Sequence, residues 1–387
     1  MPAETLIEFP VLGTSEEHPL TEEGDRRADI EAKMDRVAEL LRQSNCQGLL
    51  VLEPENLAWL TSGAVQRTIP DPASAPGIYC NGGQRWLLSA NTDTQRFFDE
   101  ELDGLGFQLK EWPWHWGREQ LLTDLCQNRK IATDRPIETT VAIPSELRRE
   151  RCLLTSYEQA CLRALGLVLA HSLEATCRQF EQGTTEREVA GQIAHRLMHR
   201  GAVPLHIGVA ADGRSRTYRQ FSFTSTSIRK YAVVTATARK YGLCATATRA
   251  VAFGLIDETF RAEMNGICRV AASFLASTWP NALPGQILQA ARRIYQLSGF
   301  EHEWLAAPQG HLIGRCPVEV PLLPRTEEML QAGHAVVWIP AAGAASGADT
   351  YLVTDNGPRC LTPPENWPLK RIKIQGAEFI RPDVLVR

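Results

Sequence analysis

The amino-acid sequence predicts two domains, an α/β unit followed by an α+β unit that becomes rich in strands toward its C-terminal end. Three observations carry this expectation. At 387 residues the chain is long enough to bury two separate cores. Between residues 29 and 134, helical and strand-like patterns alternate, the arrangement of an α/β layer. From residue 156 onward two long helical stretches come first and strand-like segments then dominate. The expected division is an acidic tail over residues 1–28, a first domain over 29–150 and a second over 151–387.

Asp29 to Gln43 sets Ile30, Met34, Val37, Leu40 and Leu41 at helical spacing. Gly48-Leu49-Leu50-Val51-Leu52 reads as a short buried strand, followed by a turn at Pro54-Glu55-Asn56. Gly77 to Cys80 and Arg85 to Ser89 flank Asn81-Gly82-Gly83-Gln84, a hairpin signal because tight turns take glycine and asparagine at left-handed positions. Two helix–strand units follow, Thr92 to Leu102 into Gly106 to Glu111 and Arg118 to Cys126 into Lys130 to Asp134. Arg135 to Arg151, charged and proline-containing, reads as the joint. A long helix is expected over Ser156 to Gln182, and another after Thr185, whose hydroxyl suits an N-cap, with Gly201 ending it. Val233 to Ala238 and Tyr241 to Ala250 read as β segments.

Hydrophobic residues make up 44% of the chain and charged residues 22%, ordinary values for a globular protein. No uninterrupted apolar run approaches the roughly 18 residues of a membrane span. Met1 to Leu20 has no basic cluster ahead of an apolar stretch, so no secretory signal is expected. Residues 1–32 hold nine acidic and two basic side chains, a net of −7 against −4 for the whole chain, which leaves about +3 on the remainder. The acidic segment reads as a solvated tail, and neither value points to nucleic acid. Ten cysteines are scattered from Cys46 to Cys360 without a C-x-x-C pair, the usage of reduced, mostly buried thiols in a cytoplasmic protein.

The motifs that bear on chemistry lie in the second half. Thr235 and Thr246 stand eleven residues apart, the latter in Thr246-Ala247-Thr248-Arg249. Further on come Gly310-His311-Leu312-Ile313-Gly314, then Trp338-Ile339-Pro340, then Ala348-Asp349-Thr350 leading into Tyr351-Leu352-Val353-Thr354 and Asn356-Gly357. This order, with the helix, strand and Pro-Glu-Asn run near the N-terminus, resembles the pita-bread metallopeptidases, which include methionine aminopeptidase, Xaa-Pro aminopeptidase, prolidase and creatinase. The resemblance covers roughly residues 29–387. It implies a creatinase-like α/β N-terminal domain, a pita-bread α+β C-terminal domain, and pairing of two copies through the N-terminal domain. It also implies a two-metal centre of four carboxylates and one imidazole, with a bridging water as nucleophile. In that family the positions of Thr235 and Thr246 are aspartates, those of Ile339 and Ala348 are glutamates, and His311 is the histidine ligand.

Of the five, only His311 is retained. Threonine offers a neutral hydroxyl, Ile339 and Ala348 offer no donor atom, and one imidazole falls short of the three protein ligands a metal site needs. Asp349 is one residue from the glutamate position, which in a strand turns it to the opposite face. The family's histidines before the first aspartate and seven residues after the metal histidine correspond to Gln220 and Val318. Four crowded carboxylates without metals would repel one another and be forced to protonate, and neutral replacements remove that cost. The expected cleft is therefore free of metal and of any cofactor.

Other candidates carry plainer readings. His195 and His199 have the i, i+4 spacing of a metal pair, but Arg196 stands where the metalloprotease pattern needs glutamate, so surface histidines are expected. Cys244 shares the face of Thr246 by strand alternation and reads first as a small buried cysteine, with pairing to His311 as a thiol nucleophile the alternative. Arg214, Arg216 and Arg219 read as a solvated loop rather than an anion site. Trp112, Trp114 and Trp116 suggest packing between domains or subunits, or an aromatic wall facing a ligand.

The functional expectation is an Xaa-Pro aminopeptidase-like homologue that is inactive as a metallopeptidase, cytoplasmic and homodimeric. Its cleft, lined by Gln220, Thr235, Cys244, Thr246, His311, Ile339 and Ala348, would hold a small molecule, a peptide or a protein partner. The alternatives are a creatinase-type, metal-independent hydrolase of a C–N bond and a protein-interaction platform. A cleft collapsed onto its own side chains is the alternative to an open pocket. Neither nucleic acid nor a membrane is an expected partner.

Overall fold

A computed structural model describes residues 25–65, 75–374 and 376–387. The acidic tail therefore lies outside the described residues, except that Asp25 caps the first helix and its first turn follows at once. That helix, α1 (Arg26–Ser44), closes on Asn45 in the left-handed conformation. It is followed by β1 (Gly48–Val51), α2 (Pro54–Leu60), β2 (Gly77–Asn81), β3 (Gln84–Ala90), and α3 (Thr94–Arg96), which runs into a π-helical turn at Phe97–Leu102. Then come β4 (Gln108–Trp112), α4 (Glu119–Cys126), β5 (Ile131–Thr133), β6 (Val141–Ala142) and α5 (Pro144–Cys152). Among the described residues these strands form a six-stranded sheet in the order β4-β3-β2-β1-β5-β6. Two stretches that read as irregular are helical. Pro54-Glu55-Asn56 opens α2, and α5 fills much of the expected joint. Each begins with proline in its first turn, where the helix has no use for the missing N–H.

The second domain begins with α6 (Ser156–Gln179) and α7 (Glu186–His199), each started by a complete capping box, Thr155 with Glu158 and Thr185 with Glu188. Next are β7 (Val203–Ala211), α8 (Arg214–Thr217), β8 (Tyr231–Lys240), β9 (Leu243–Ala252), α9 (Glu258–Ser277) and α10 (Pro284–Leu297). The remainder is strands: β10 (Gly310–Ile313), β11 (Val320–Pro321), β12 (Ala335–Trp338), β13 (Ala341–Ala342), β14 (Ala345–Ser346) and β15 (Asp349–Thr354). β16 (Gly357–Cys360), β17 (Leu369–Ile374), β18 (Ala377–Pro382) and β19 (Val384–Val386) complete the chain. A nine-stranded sheet runs β11-β10-β12-β15-β9-β8-β7, with β16 beside β15 and β19 beside β9. Tyr241 lies in the two-residue turn between β8 and β9, not in the second strand as read from sequence. It and Gly242 have φ of 55° and 64°, the left-handed pair such turns require.

Leu162, Leu165 and Leu169 of α6 pack against Val234, Ala236 and Ala247 of the sheet. This helix is long and apolar enough to cross a membrane by length and composition, a property hidden from a search for uninterrupted apolar runs by Glu158, Arg163, His171 and Glu174. Its most apolar stretch is 67% buried, so the sheet already covers it. On the same side of the sheet, buried Arg249 donates to Glu174 at 2.7 Å, to Asp349 at 2.8 Å and to the Thr362 carbonyl at 3.0 Å.

Buried charges also join the two domains. Lys33 donates to Asp29 at 2.6 Å and pairs with Glu158 at 2.8 Å, and Glu158 also pairs with Arg315. Arg151 pairs with Glu319 at 2.7 Å and donates to Asn56 at 2.8 Å. Burial alone would raise the Glu158 carboxyl, but Lys33 and Arg315 outweigh it and hold the pKa down at about 2. Glu158→Gln should leave Arg315 without a carboxylate and Lys33 with Asp29 alone, and lower stability by about 3–5 kcal/mol in urea denaturation at neutral pH. Because the native pKa lies below the ordinary 4.5, the contribution is complete above pH 4.5 and is lost as pH falls toward about 2. The gap between wild type and variant should close over that window, and equal stability at neutral pH contradicts the assignment.

Candidate functional site

Strand alternation sends Thr235 and Thr237 of β8, and Thr246 and Thr248 of β9, to the concave face of the sheet, and Ala236, Ala247 and Arg249 to the helix side. The register opposes Thr235 to Thr248 and Thr237 to Thr246. The hydroxyls of Thr237 and Thr246 bond to each other at 2.8 Å. Thr248 donates to Thr235 at 2.9 Å, and Thr235 donates to the Ala247 carbonyl at 3.3 Å. Three of the four hydroxyl protons are thus consumed inside the sheet, and the wall offers lone pairs together with the one proton left on the accepting member of the Thr237–Thr246 pair.

β10 brings His311 to this face, and its close pairing with β12 fixes Gly310, where a Cβ would stand 2.5 Å from the Trp338 ring. Ile339 follows β12 and Ala348 precedes β15. Gln220, Thr235, Thr246, His311, Ile339 and Ala348 all line one cavity of about 380 Å³, together with Arg219, Thr237, Thr248, Pro317 and Val318. The cleft is open rather than filled by its own side chains. Thr237 and Thr248 are not among the lining residues expected from sequence, although two-residue spacing from Thr235 and Thr246 marks both.

Cys244 is not part of the lining, and its pairing with His311 has to be corrected. It has the threonine face, but the loop after β10 covers that end of the strand, and its Sγ lies 3.7 Å from the Arg315 carbonyl, fully buried. Burial pushes the thiol up to about 11, away from the thiolate a nucleophile needs. Asp349 faces the helix side, where its two oxygens meet Arg249 and Arg381 at 2.8 Å each. The arginine cluster is not a solvated loop. Arg214 pairs with Glu186 at 2.8 Å, Arg216 with Glu263 at 2.6 Å and Arg219 with Glu303, and all three carboxylates are buried. His195 and His199 are exposed on α7 with their rings stacked at 6.2 Å. Trp112 is buried in the core of its own domain rather than between domains, whereas Trp114 and Trp116 are 67% and 72% exposed.

Burial lowers the His311 imidazole to about 4, against a smaller opposing contact with the Pro317 carbonyl. Nε2 is buried without a hydrogen-bond partner, so Nδ1 is the nitrogen that donates to Pro317 and Nε2 carries a free lone pair. The five positions that the resemblance assigns to ligands, Thr235, Thr246, His311, Ile339 and Ala348, supply two neutral hydroxyls, one imidazole and two hydrocarbon side chains. Two divalent ions do not fit that donor set. Among the described residues no group of three or more His, Cys, Asp or Glu side chains converges as a metal site would require.

The profile of metallopeptidase family M24 matches residues 160–355. No curated protein matches the chain. The prolidase from Pyrococcus horikoshii OT3 superposes with a TM-score of 0.74 at 17% identity, covering 86% of this chain and 99% of that one. Dipeptidase PepE from Mycobacterium ulcerans gives 0.75 at 17% identity, covering 94% and 99%. The N-terminal domain of the FACT complex subunit SPT16 from Cicer arietinum (chickpea) gives 0.65 at 8% identity, covering 88% and 96%. At these identities the structures speak for the fold alone, a creatinase-like N-terminal domain followed by a pita-bread domain. With the profile spanning α6 to β15 and the same two-domain architecture on both sides, this chain belongs to metallopeptidase family M24.

Proposed function

We propose that this chain is a metal-independent member of its family whose cavity binds a small, uncharged organic ligand that donates hydrogen bonds. The supporting observation is the unused valence of the wall. His311 Nε2 has no partner, and the Thr248 to Thr235 to Ala247 chain turns its protons inward. Arg219 is already neutralised by Glu303, and Phe221, Val318 and Ile339 supply apolar surface. Among the described residues that line the cavity, a carboxylate or phosphate ligand finds no free cation and a metal ion finds no charged donor. An amide, a urea or an alcohol suits both the acceptors and the size, since small-molecule sites run from roughly 300 to 1,000 Å³. A creatinase-type hydrolase is less well supported. His311 at about 4 is a weak base, and no carboxylate among the described residues lines the cavity to orient it. A homodimer formed through the N-terminal domain, with Trp114 and Trp116 in the contact, and a cytoplasmic setting for the ten free thiols complete the proposal.

Protein exposed to Mn, Co, Zn or Fe and then dialysed should retain no stoichiometric metal by elemental analysis and should not cleave Xaa-Pro dipeptides. Two retained equivalents, or metal-dependent hydrolysis, would overturn the reading. Thr235→Asp combined with Thr246→Asp should not restore activity, because Ile339 and Ala348 still supply no ligand. A thermal-shift screen of amides, ureas, alcohols and dipeptides should find a stabilising compound whose effect His311→Ala abolishes; stabilisation that survives this substitution places the ligand elsewhere. With the imidazole at about 4, binding should stay flat from about pH 8 to about pH 5 and weaken as pH falls toward 4, since protonation turns the acceptor into a donor. A midpoint at the ordinary 6.5 contradicts the assignment. Sedimentation at micromolar concentration should give a dimer of the 43.0 kDa chain. Trp114→Ala should shift it toward monomer without destabilising the fold, and a clean 43.0 kDa species for the wild type counts against the pairing.

A further inference from the structure

We infer that a second site, for a small monoanionic organic acid or phosphate ester, lies on Arg239 at the junction of the two domains. The threonine face of β8 continues one step beyond Thr237 to Arg239, which stands opposite Cys244. There it lines a separate cavity of about 340 Å³ between α2 and the β8–β9 turn. The loop after β10 divides this space from the first cavity, with Cys316 on one side and Pro317 and Val318 on the other. Leu57, Ala58 and Pro76 give the junction cavity apolar walls.

The other charged groups of this cavity are engaged. Arg315 pairs with Glu158 and donates to the Tyr241 carbonyl at 2.9 Å, and Glu55 lies 3.9 Å from Arg151. Arg239 differs. It is half-buried, its Nε is shielded from solvent without a partner, and among the described residues no carboxylate lies within 4.0 Å of it. Its polar neighbour is the Cys244 thiol, which burial keeps protonated and uncharged. Buried arginines elsewhere in this chain meet carboxylates, as Arg151 does with Glu319, Arg249 with Glu174 and Arg381 with Asp349.

A guanidinium held partly out of water without a counter-charge is costly, and its planar fork matches the two oxygens of a carboxylate or phosphate. The apolar walls suit a short hydrocarbon body behind that group. Glu55 on the same cavity disfavours a second negative charge, which selects a monoanion. This site stands on observations separate from those for the threonine-lined cavity, and either can fail without the other.

Calorimetry on the full chain at neutral pH and fixed ionic strength, with butyrate, the monoanionic diester diethyl phosphate, and inorganic phosphate as probes, tests the inference. One equivalent of butyrate or diethyl phosphate should bind saturably, and whichever binds tighter names the head group. Arg239→Gln should weaken that binding by about 10- to 100-fold, while His311→Ala leaves it unchanged. Because Arg239 holds no ion pair, the Gln variant should keep the wild-type melting curve in the absence of anion. Should it misfold, Arg239→Lys keeps the charge and loses the fork, and binding should fall severalfold. Unchanged affinity in the folded Arg239 variant, or no binding of either organic anion up to about 10 mM, overturns the site.

Discussion

A single buried guanidinium organises the C-terminal domain. Arg249 reaches α6 through Glu174, β15 through Asp349 and the segment after β16 through the Thr362 carbonyl, so it fixes the depth at which three elements meet. Each carboxylate is held a second time, Glu174 by the Glu365 amide at 2.9 Å and Asp349 by the Thr362 hydroxyl at 2.9 Å and by Arg381. A buried network of this kind tolerates no missing partner. Strand alternation then sets the opposite face. With Arg249 and Asp349 turned toward the helix, Thr248 and Ala348 must face the cavity, and no local rotation can exchange them.

The same strands therefore separate charge from neutrality across the thickness of one sheet. On the helix side, ionised groups are paired and sealed. On the concave side, threonine hydroxyls bond chiefly to one another and Ile339 and Ala348 add hydrocarbon. A threonine pair needs no counter-ion, whereas facing carboxylates need one. At the rim, Arg219 lines the cavity already paired with Glu303. A ligand of the class proposed would be selected by hydrogen-bond direction and shape, since among the described residues no unpaired charged side chain lines the cavity.

Much of this was legible in the sequence, for physical reasons that differ by residue. The lining positions Thr235, Thr246, His311, Ile339 and Ala348 follow from the order of motifs shared with the family the sequence resembles, and a period of two then assigns faces on each strand. Thr185 announced its helix because a cap is a local interaction. What alternation could not supply is the cover. Cys244 has the right face, but a loop more than seventy residues further along closes over it. The arginines 214, 216 and 219 looked solvated because Glu186, Glu263 and Glu303 are remote in sequence and meet them only after folding. Helix α2 was masked by its opening Pro-Glu-Asn, residues equally at home in a turn and in a first helical turn.

The turn between β8 and β9 bears on how this chain can change length. Hairpin tips are ordinarily where proteins accept extra residues. A single Cβ at Gly242 would already lie 2.9 Å from Arg315 Nη1, 3.1 Å from Ala58 Cβ and 3.2 Å from Gly63 Cα. The tip is thus a wedge seated between domains, and an inserted loop or epitope there would prise them apart. The turn at Gly82-Gly83 meets nothing within 4 Å and has room for the same insertion. Evolution and the engineer alike are free to lengthen the first hairpin and are held to the present length at the second.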